Sequence, residues 1–397
     1  MIDKRFPAEV AELQPPANGC AVAIAMHNAD CQAEVCLRET SAFPLSAVEN
    51  AYALTCRVSS ILKATAEDVR YAYRLLLGRE PDEVGFKNNV ERMNRSASTT
   101  LELSDLFMDS LEFLIKHGHL LDVSEPTHLR SPGALLNCQS CTQRQIDSHA
   151  FRFWASRLRE RPGKLQRKLW EWCYIAQALY ERGRLESGRR GLGFAVGTEP
   201  LTSLFAKMGC TITATDLGRS GSDRAGWVTT NQNAASLADL NVRGICEPNE
   251  LASRASFRAV DMKKIPTDLR DYDFLWSSCA MEHLGSLDAG MAFVRNAMNC
   301  LAPGGIAVHT TELNCESDDK TWETEHDVVY RKKDLLRLAS GLTEAGFKVA
   351  PFNFDLGDSK ADGLVNEPPY NTQGSLKPRI GGFVSTSFGL IIEKLAQ

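Results

Sequence analysis

The run Arg190-Gly191-Leu192-Gly193-Phe194-Ala195-Val196-Gly197-Thr198-Glu199-Pro200, followed by Thr211-Ile212-Thr213-Ala214-Thr215-Asp216-Leu217, spells strand, glycine turn, helix, strand, acid. No other feature constrains the fold as much, because this unit demands a parallel strand pair with a helical crossover. Gly193 and Gly197 are expected to let backbone pass close to a ligand. Pro200 is tolerated in the first helical turn. Leu201, Leu204, Phe205 and Met208 then share one helix face until Gly209 ends it. The β-rich run 211–215 delivers Asp216, whose carboxylate is placed to accept both hydroxyls of a ribose. The unit therefore points to an adenosine-type ligand.

Nicotinamide and S-adenosylmethionine sites share this beginning and diverge downstream. A third strand, Phe257-Arg258-Ala259-Val260, delivers Asp261 for an adenine amino group and Met262, a thioether able to lie on the ring face. A fourth, Tyr272-Asp273-Phe274-Leu275-Trp276, ends in Ser277-Ser278-Cys279-Ala280-Met281-Glu282-His283-Leu284. Then come Leu301-Ala302-Pro303-Gly304-Gly305 and a fifth strand, Ile306 to Leu313; Phe383 to Ile392 reads as a reversed edge strand. Residues 165–397 thereby resemble the class I S-adenosylmethionine-dependent methyltransferases. The resemblance implies an α/β fold with a Rossmann-like seven-stranded sheet and S-adenosyl-L-methionine as cofactor. It assigns cofactor contacts to Gly193, Phe194, Ala195, Gly197, Glu199, Asp216, Leu217, Asp261, Met262, Ser277 and Ser278. Two positions depart from the family pattern. Gly191 stands where an acid is usual and Ala195 where the middle glycine is usual, so Glu199 or Glu171 would have to hold the methionine amino group.

At 397 residues the chain exceeds one ordinary core. The expected division is an unassigned segment 1–62, a small all-α module 63–118, a linker 119–150 rich in Pro, Gly and Ser, and a catalytic domain 151–397. In the module, Thr65-Ala66-Glu67-Asp68 caps a helix whose Val69, Tyr73, Leu76 and Leu77 share a face until Gly78. A second helix is expected from about Glu83 to Met93 and a third through Leu103, Leu106, Phe107, Leu111 and Phe113. The pattern Tyr73 to Gly85 with Phe107 to Phe113 resembles a bacterial helical module similar to phycobilisome linker repeats, often attached to glycan-modifying enzymes. That resemblance implies docking to glycan-assembly proteins. Arg79 and Asp82 form either a tie across the turn or a ligand contact.

Asp3, Lys4, Arg5, Glu9 and Glu12 are foreign to a secretory signal, and the apolar run Ala21–Met26 is too short to span a bilayer, so a cytoplasmic protein without membrane insertion is expected. The twelve cysteines show no repeating framework and read as free thiols. Cys138 and Cys141 have zinc-ligand spacing but no second pair nearby, so no metal site is expected.

Arg152, Arg157, Arg159, Arg161, Lys164, Arg167 and Lys168 fall in one helical stretch. They form either a solvated basic face or a site for an anionic acceptor. With a net charge of -5 and no aromatic interleaving, nucleic acid is not an expected partner. Trp170 and Trp172 either close the cofactor site or fill the core. Catalysis by positioning needs a base when the acceptor is a hydroxyl. His283, beside Glu282, is the base candidate, unless it caps the next helix. Glu312 ends the fifth strand and is a substrate candidate, whereas His309 reads as packed within it. Trp227, with Gln232, and Tyr370 sit in long loops that can wall the acceptor. Asn366-Glu367-Pro368-Pro369-Tyr370 is close to a motif of nucleic-acid amino methyltransferases, but Glu367 breaks its spacing and it follows the wrong strand. The expected activity is O-methylation of a sugar or glycan in bacterial surface-polysaccharide synthesis; a small-metabolite methyltransferase, a nicotinamide reductase and a non-catalytic scaffold are the alternatives.

Overall fold

A computed structural model describes residues 24–27, 32–35, 62–118, 122–125, 135–218, 234, 236–368, 370 and 375–396. Trp227 and Gln232 lie outside them. The chain divides into two compact units, residues 1–69 with 83–103, and residues 70–82 with 104–397. In the first, β1 (Ile24–His27) and β2 (Gln32–Val35) pair antiparallel. Thr65 and Asp68 exchange the expected capping bonds: Asp68 accepts the Thr65 amide at 2.7 Å and returns its own amide to Thr65 Oγ1 at 3.3 Å.

The helices expected between 63 and 118 form as Ala66–Leu77, Glu83–Ser96, Thr100–Met108 and Leu111–His117. The expected third helix is in fact two. Ser110 interrupts it by adopting an extended backbone and capping the next helix, accepting the Phe113 amide at 3.2 Å. Within the second unit Arg79 grips Glu112 with two bonds of 2.8 Å and reaches Asp82 only at 3.5 Å, which makes it a structural tie.

The sheet of the second unit contains β3 (Cys138–Ser140), β4 (Arg190–Phe194), β5 (Thr211–Asp216), β6 (Ala255–Ala259), β7 (Tyr272–Ser278) and β8 (Leu301–Asn314). It continues with β9 (Phe347–Val349), β10 (Phe352–Asn353), β11 (Val365–Asn366), β12 (Lys377–Ile380) and β13 (Phe383–Lys394). Among the described residues it has eleven strands where seven were expected. Its spine runs β6-β5-β4-β7-β8-β13; β4 to β8 are parallel and β13 is reversed, as the sequence led one to expect. β9 and β3 both pair antiparallel with β13, β10 extends β3, and β12 with β11 continues from the start of β13. β3 comes from the stretch expected to be linker. Cys138 and Cys141 are fully buried there, and the Ile391 amide of β13 meets the Cys138 sulfur. Pro303-Gly304-Gly305 is absorbed as a bulge in β8: Tyr272 pairs Leu301, but Phe274 already pairs Ile306.

Two glycines of β4 serve packing. A Cβ on Gly191 would stand 2.3 Å from the Phe274 ring, and one on Gly193 would stand 2.5 Å from the Trp276 indole. Those rings, with Phe205 edge-on to both, fill the space the glycines leave. The helix Arg167–Glu181 lies over the other half of the sheet, its Tyr174 ring occupying the gap above Gly389. Trp170 is fully buried, stacks on Tyr174 at 4.9 Å and bonds Gln145, so it is core and not a lid. Strand order reverses between β4 and β7, and in such sheets the ligand crevice opens at the carboxyl ends of the strands around that point.

Candidate functional site

A cleft of about 840 Å³ opens where expected, lined by the residues that follow β4, β5, β6 and β7. At the β4 turn the chain bends through Ala195 (φ +49°) and Gly197 (φ +50°). Alanine in the left-handed region costs roughly 1–2 kcal/mol relative to its ordinary conformations, so Ala195 meets the middle-glycine requirement at the expense of local strain. The Val196 amide bonds Thr215 O at 3.0 Å and the Gly197 amide bonds Asp216 Oδ2 at 3.0 Å, locking the turn onto the end of β5. Asp216 Oδ1 accepts the Leu217 amide at 2.7 Å; burial raises the pKa of this carboxyl. Asp261 Oδ1 accepts the Lys263 amide at 2.8 Å, and Met262 lies beside it on the cleft wall.

The opposite wall carries charge that the sequence concealed. Lys168 lines the cleft and places Nζ 2.7 Å from Glu199 Oε1, 2.9 Å from Ser278 O, 3.0 Å from Ser278 Oγ and 3.5 Å from Glu171 Oε2. Burial opposes its charge, but Glu199 and Glu171 overcome that and hold its pKa above the ordinary lysine value. Glu199 lines the cleft, whereas Glu171 is 1% exposed and sits behind it, accepting from Ser278 Oγ at 3.0 Å and Cys279 Sγ at 2.9 Å. Of the two substitutes expected for the missing acid, Glu199 is the one that lines the cleft. Trp172 also lines the cleft, with the Arg243 guanidinium 5.1 Å above its ring.

At the far end stand Cys279, Ala280, His283 and Leu284 from the segment after β7, with Glu325, His326 and Asp327 from the loop after β8. His283 Nδ1 lies 2.8 Å from Asp327 Oδ1 and 3.1 Å from His326 O. Burial works against the imidazolium, but Asp327 and the nearby Glu282 outweigh it and raise the pKa to about 9. This shift favours the imidazolium, the opposite of what a neutral base near pH 7 requires. Glu282 is 2% exposed and lies behind the lining; burial, with the charge of Glu312 adding, pushes it up to about 7.

Ala195, Gly197, Glu199, Asp216, Leu217, Asp261, Met262 and His283 thus gather on one cleft. Gly193 and Phe194 do not line it: the first clears Trp276 and the second meets Phe293 edge-on at 5.2 Å. Ser277 Oγ is paired with His309 Nδ1 at 2.8 Å, and Ser278 is bound to Lys168 and Glu171. His309 is fully buried, as expected. Glu312 pairs with Arg167 and accepts from Ser385 at 2.9 Å instead of reaching the cleft. Tyr370 is 54% exposed and donates to Arg379 O at 2.8 Å, so it does not wall the site. The basic stretch is largely spent on carboxylates: Arg161 on Asp105 and Asp109, Lys164 on Glu160, Arg157 on Asp122 and Arg152 on Asp147. An anion site there is not supported. Lys168 reads in the sequence only as one member of the basic stretch; its i,i+3 spacing from Glu171 is the signal that could have set it apart.

No family model and no curated protein matches the chain. Solved structures similar to it include the 4+2 cyclase SpnF, at 21% identity over 45% of this chain and 58% of that one, with a TM-score of 0.32. They also include DhpI in complex with SAH, at 16% identity over 56% and 85% with a TM-score of 0.32. A third is a SAM-dependent methyltransferase from Methanosarcina mazei, at 14% identity over 54% and 96% with a TM-score of 0.33. The chain spans little more than half the length of the cyclase. The fold rests on the strand order itself. It is a Rossmann-like mixed sheet. Among the described residues no helix is long and apolar enough to cross a membrane.

Proposed function

We propose that this protein is an S-adenosylmethionine-dependent methyltransferase. One observation carries the reading: the Lys168–Glu199 pair, 2.7 Å apart, faces the same cleft as Asp216 and Asp261. A zwitterionic amino-acid terminus matches a cation and a carboxylate side by side, Lys168 taking its carboxylate and Glu199 its ammonium. Asp216 then takes the ribose hydroxyls, and Asp261 with Met262 the adenine. A nicotinamide dinucleotide presents no such zwitterion and brings a pyrophosphate that Glu199 would repel. The cofactor supplies an activated methyl group, and the protein's share is to aim it at the acceptor near Cys279 and His283. His283, already protonated near neutrality, serves there as a hydrogen-bond donor. A sugar or glycan hydroxyl of bacterial surface polysaccharide as acceptor is supported only by the resemblance of the helical segment and by the polar far end of the cleft. Calorimetric titration with S-adenosylmethionine and with NADH tests the cofactor: micromolar binding of the first and none of the second is expected. Heat from NADH alone, or none from S-adenosylmethionine at millimolar concentration, sinks the proposal.

A further inference from the structure

Behind the acceptor end of the cleft, side chains from two adjacent strand ends converge. Cys279 and Glu282 follow β7, Glu312 lies near the end of β8, and these strands run parallel in register through Ser278 and Thr310. The Cys279 sulfur and one carboxylate oxygen from each glutamate all lie within 4.8 Å of one another. Cys279 sits in the left-handed region, φ +44°, its amide held by Thr310 O and Oγ1 at 3.1 Å each. Glu282 is 2% exposed; its Oε2 accepts from Thr311 Oγ1 at 3.1 Å, but its Oε1 is buried without any hydrogen-bond donor. A buried carboxylate oxygen without a donor is rare and costly unless a cation or proton meets it.

We propose that Cys279, Glu282 and Glu312 hold a divalent metal ion of the zinc or cobalt type, with the fourth position open to the cleft. One thiolate with two carboxylates suits such an ion better than magnesium, which prefers oxygen alone. Charge agrees. With Cys279 deprotonated and its proton released from the bond to Glu171, Cys279, Glu282, Glu312 and Glu171 carry four negative charges, and Arg167 on Glu312, Lys168 beside Glu171 and a divalent cation supply four positive ones. Thr311, Ser385 and Arg167 fix the carboxylates by hydrogen bonds, as groups behind metal ligands do. Cys279 lines the cleft, so the open position meets water or an acceptor hydroxyl, whose proton a bound dication makes easier to remove. Only that last use rests on the methyl-transfer reading.

The full chain, stripped with chelator and titrated with cobalt(II), provides the test. The expected result is a thiolate-to-cobalt charge-transfer band and the visible bands of a four-coordinate ion, saturating at one cobalt per chain. Cys279→Ser removes the charge-transfer band, and Glu282→Gln weakens cobalt binding at least tenfold with the circular dichroism unchanged. Should Cys279→Ser fail to fold, Thr311→Val, which removes only the hydroxyl holding Glu282, is expected to weaken binding about 10- to 100-fold. Absence of the band at tenfold metal excess, its survival in Cys279→Ser, or unchanged cobalt affinity in Glu282→Gln and Thr311→Val overturns the proposal. The titration reads the ion alone, so its failure leaves cofactor binding standing, and the converse holds.

Discussion

Replacing Gly191 with aspartate restores the acid usual in the glycine motif and is expected to damage the protein. A Cβ at 191 would lie 2.3 and 2.5 Å from two atoms of the Phe274 ring and 2.8 Å from Ile212 Cδ1, distances that bonded geometry cannot absorb without moving β7 or β5. Overpacking of this kind costs about 1–3 kcal/mol for Gly191→Ala, less about 0.5–1 kcal/mol from the lower chain entropy of alanine in a strand. Aspartate adds an ionised carboxylate in a position buried on both sides, a further several kcal/mol. Each kcal/mol lowers Tm by about 2–4 °C in domains of about 150–250 residues and by less in a larger unit, so alanine loses a few degrees at most and aspartate more. Differential scanning calorimetry reads the shift, and Phe274→Leu combined with Gly191→Ala should recover part of it. An aspartate variant with unchanged Tm and tighter S-adenosylmethionine binding would refute the claim that Glu199 and Lys168 have taken over the role of that acid.

His309 is fully buried and its pKa is pushed down to about 3, so between about 3 and the ordinary 6.5 the unfolded chain binds a proton that the native one does not. Stability from this site is therefore lost as pH falls below about 6.5, by about 2 kcal/mol at pH 5; between pH 7 and pH 5 the unfolding free energy in urea should fall by about that much more for wild type than for His309→Gln, and equal falls would contradict it. Asp327→Asn should let the His283 pKa fall from about 9, read by NMR titration of the imidazole; a value that stays put means Asp327 is not what holds the charge. Asp216→Asn removes the anionic acceptor that fixes the Gly197 and Leu217 amides and that the proposed function assigns to the ribose. It should weaken cofactor binding roughly tenfold or more, about 1.4 kcal/mol per factor of ten, and equal calorimetric affinities would remove Asp216 from the site.

The strands and the acids at their ends were legible because each signal is local: a short β-rich run ending directly in Asp216 or Asp261, with Gly209 closing the helix before the first. The reason for Gly191 was not, because Phe274 approaches it across a strand pairing far away in sequence. β3 escaped notice because three residues among Pro, Gly and Ser carry no period; only pairing with β13 makes them a strand. Lys168 was hidden in a basic run whose other members pair with carboxylates, and what sets it apart is Glu199, brought to it by the β4 turn. The break at Ser110 was readable in principle, since serine followed by Leu111-Glu112-Phe113 is a cap signal, but the apolar spacing on either side continued smoothly across it.

A crystal structure with S-adenosylhomocysteine tests the central claim most directly. The amino-acid carboxylate is expected within hydrogen-bond reach of Lys168 Nζ, its ammonium on Glu199, and the ribose hydroxyls on Asp216. A nucleoside bound elsewhere, or an amino-acid terminus that leaves the Lys168–Glu199 pair closed on itself, would contradict it.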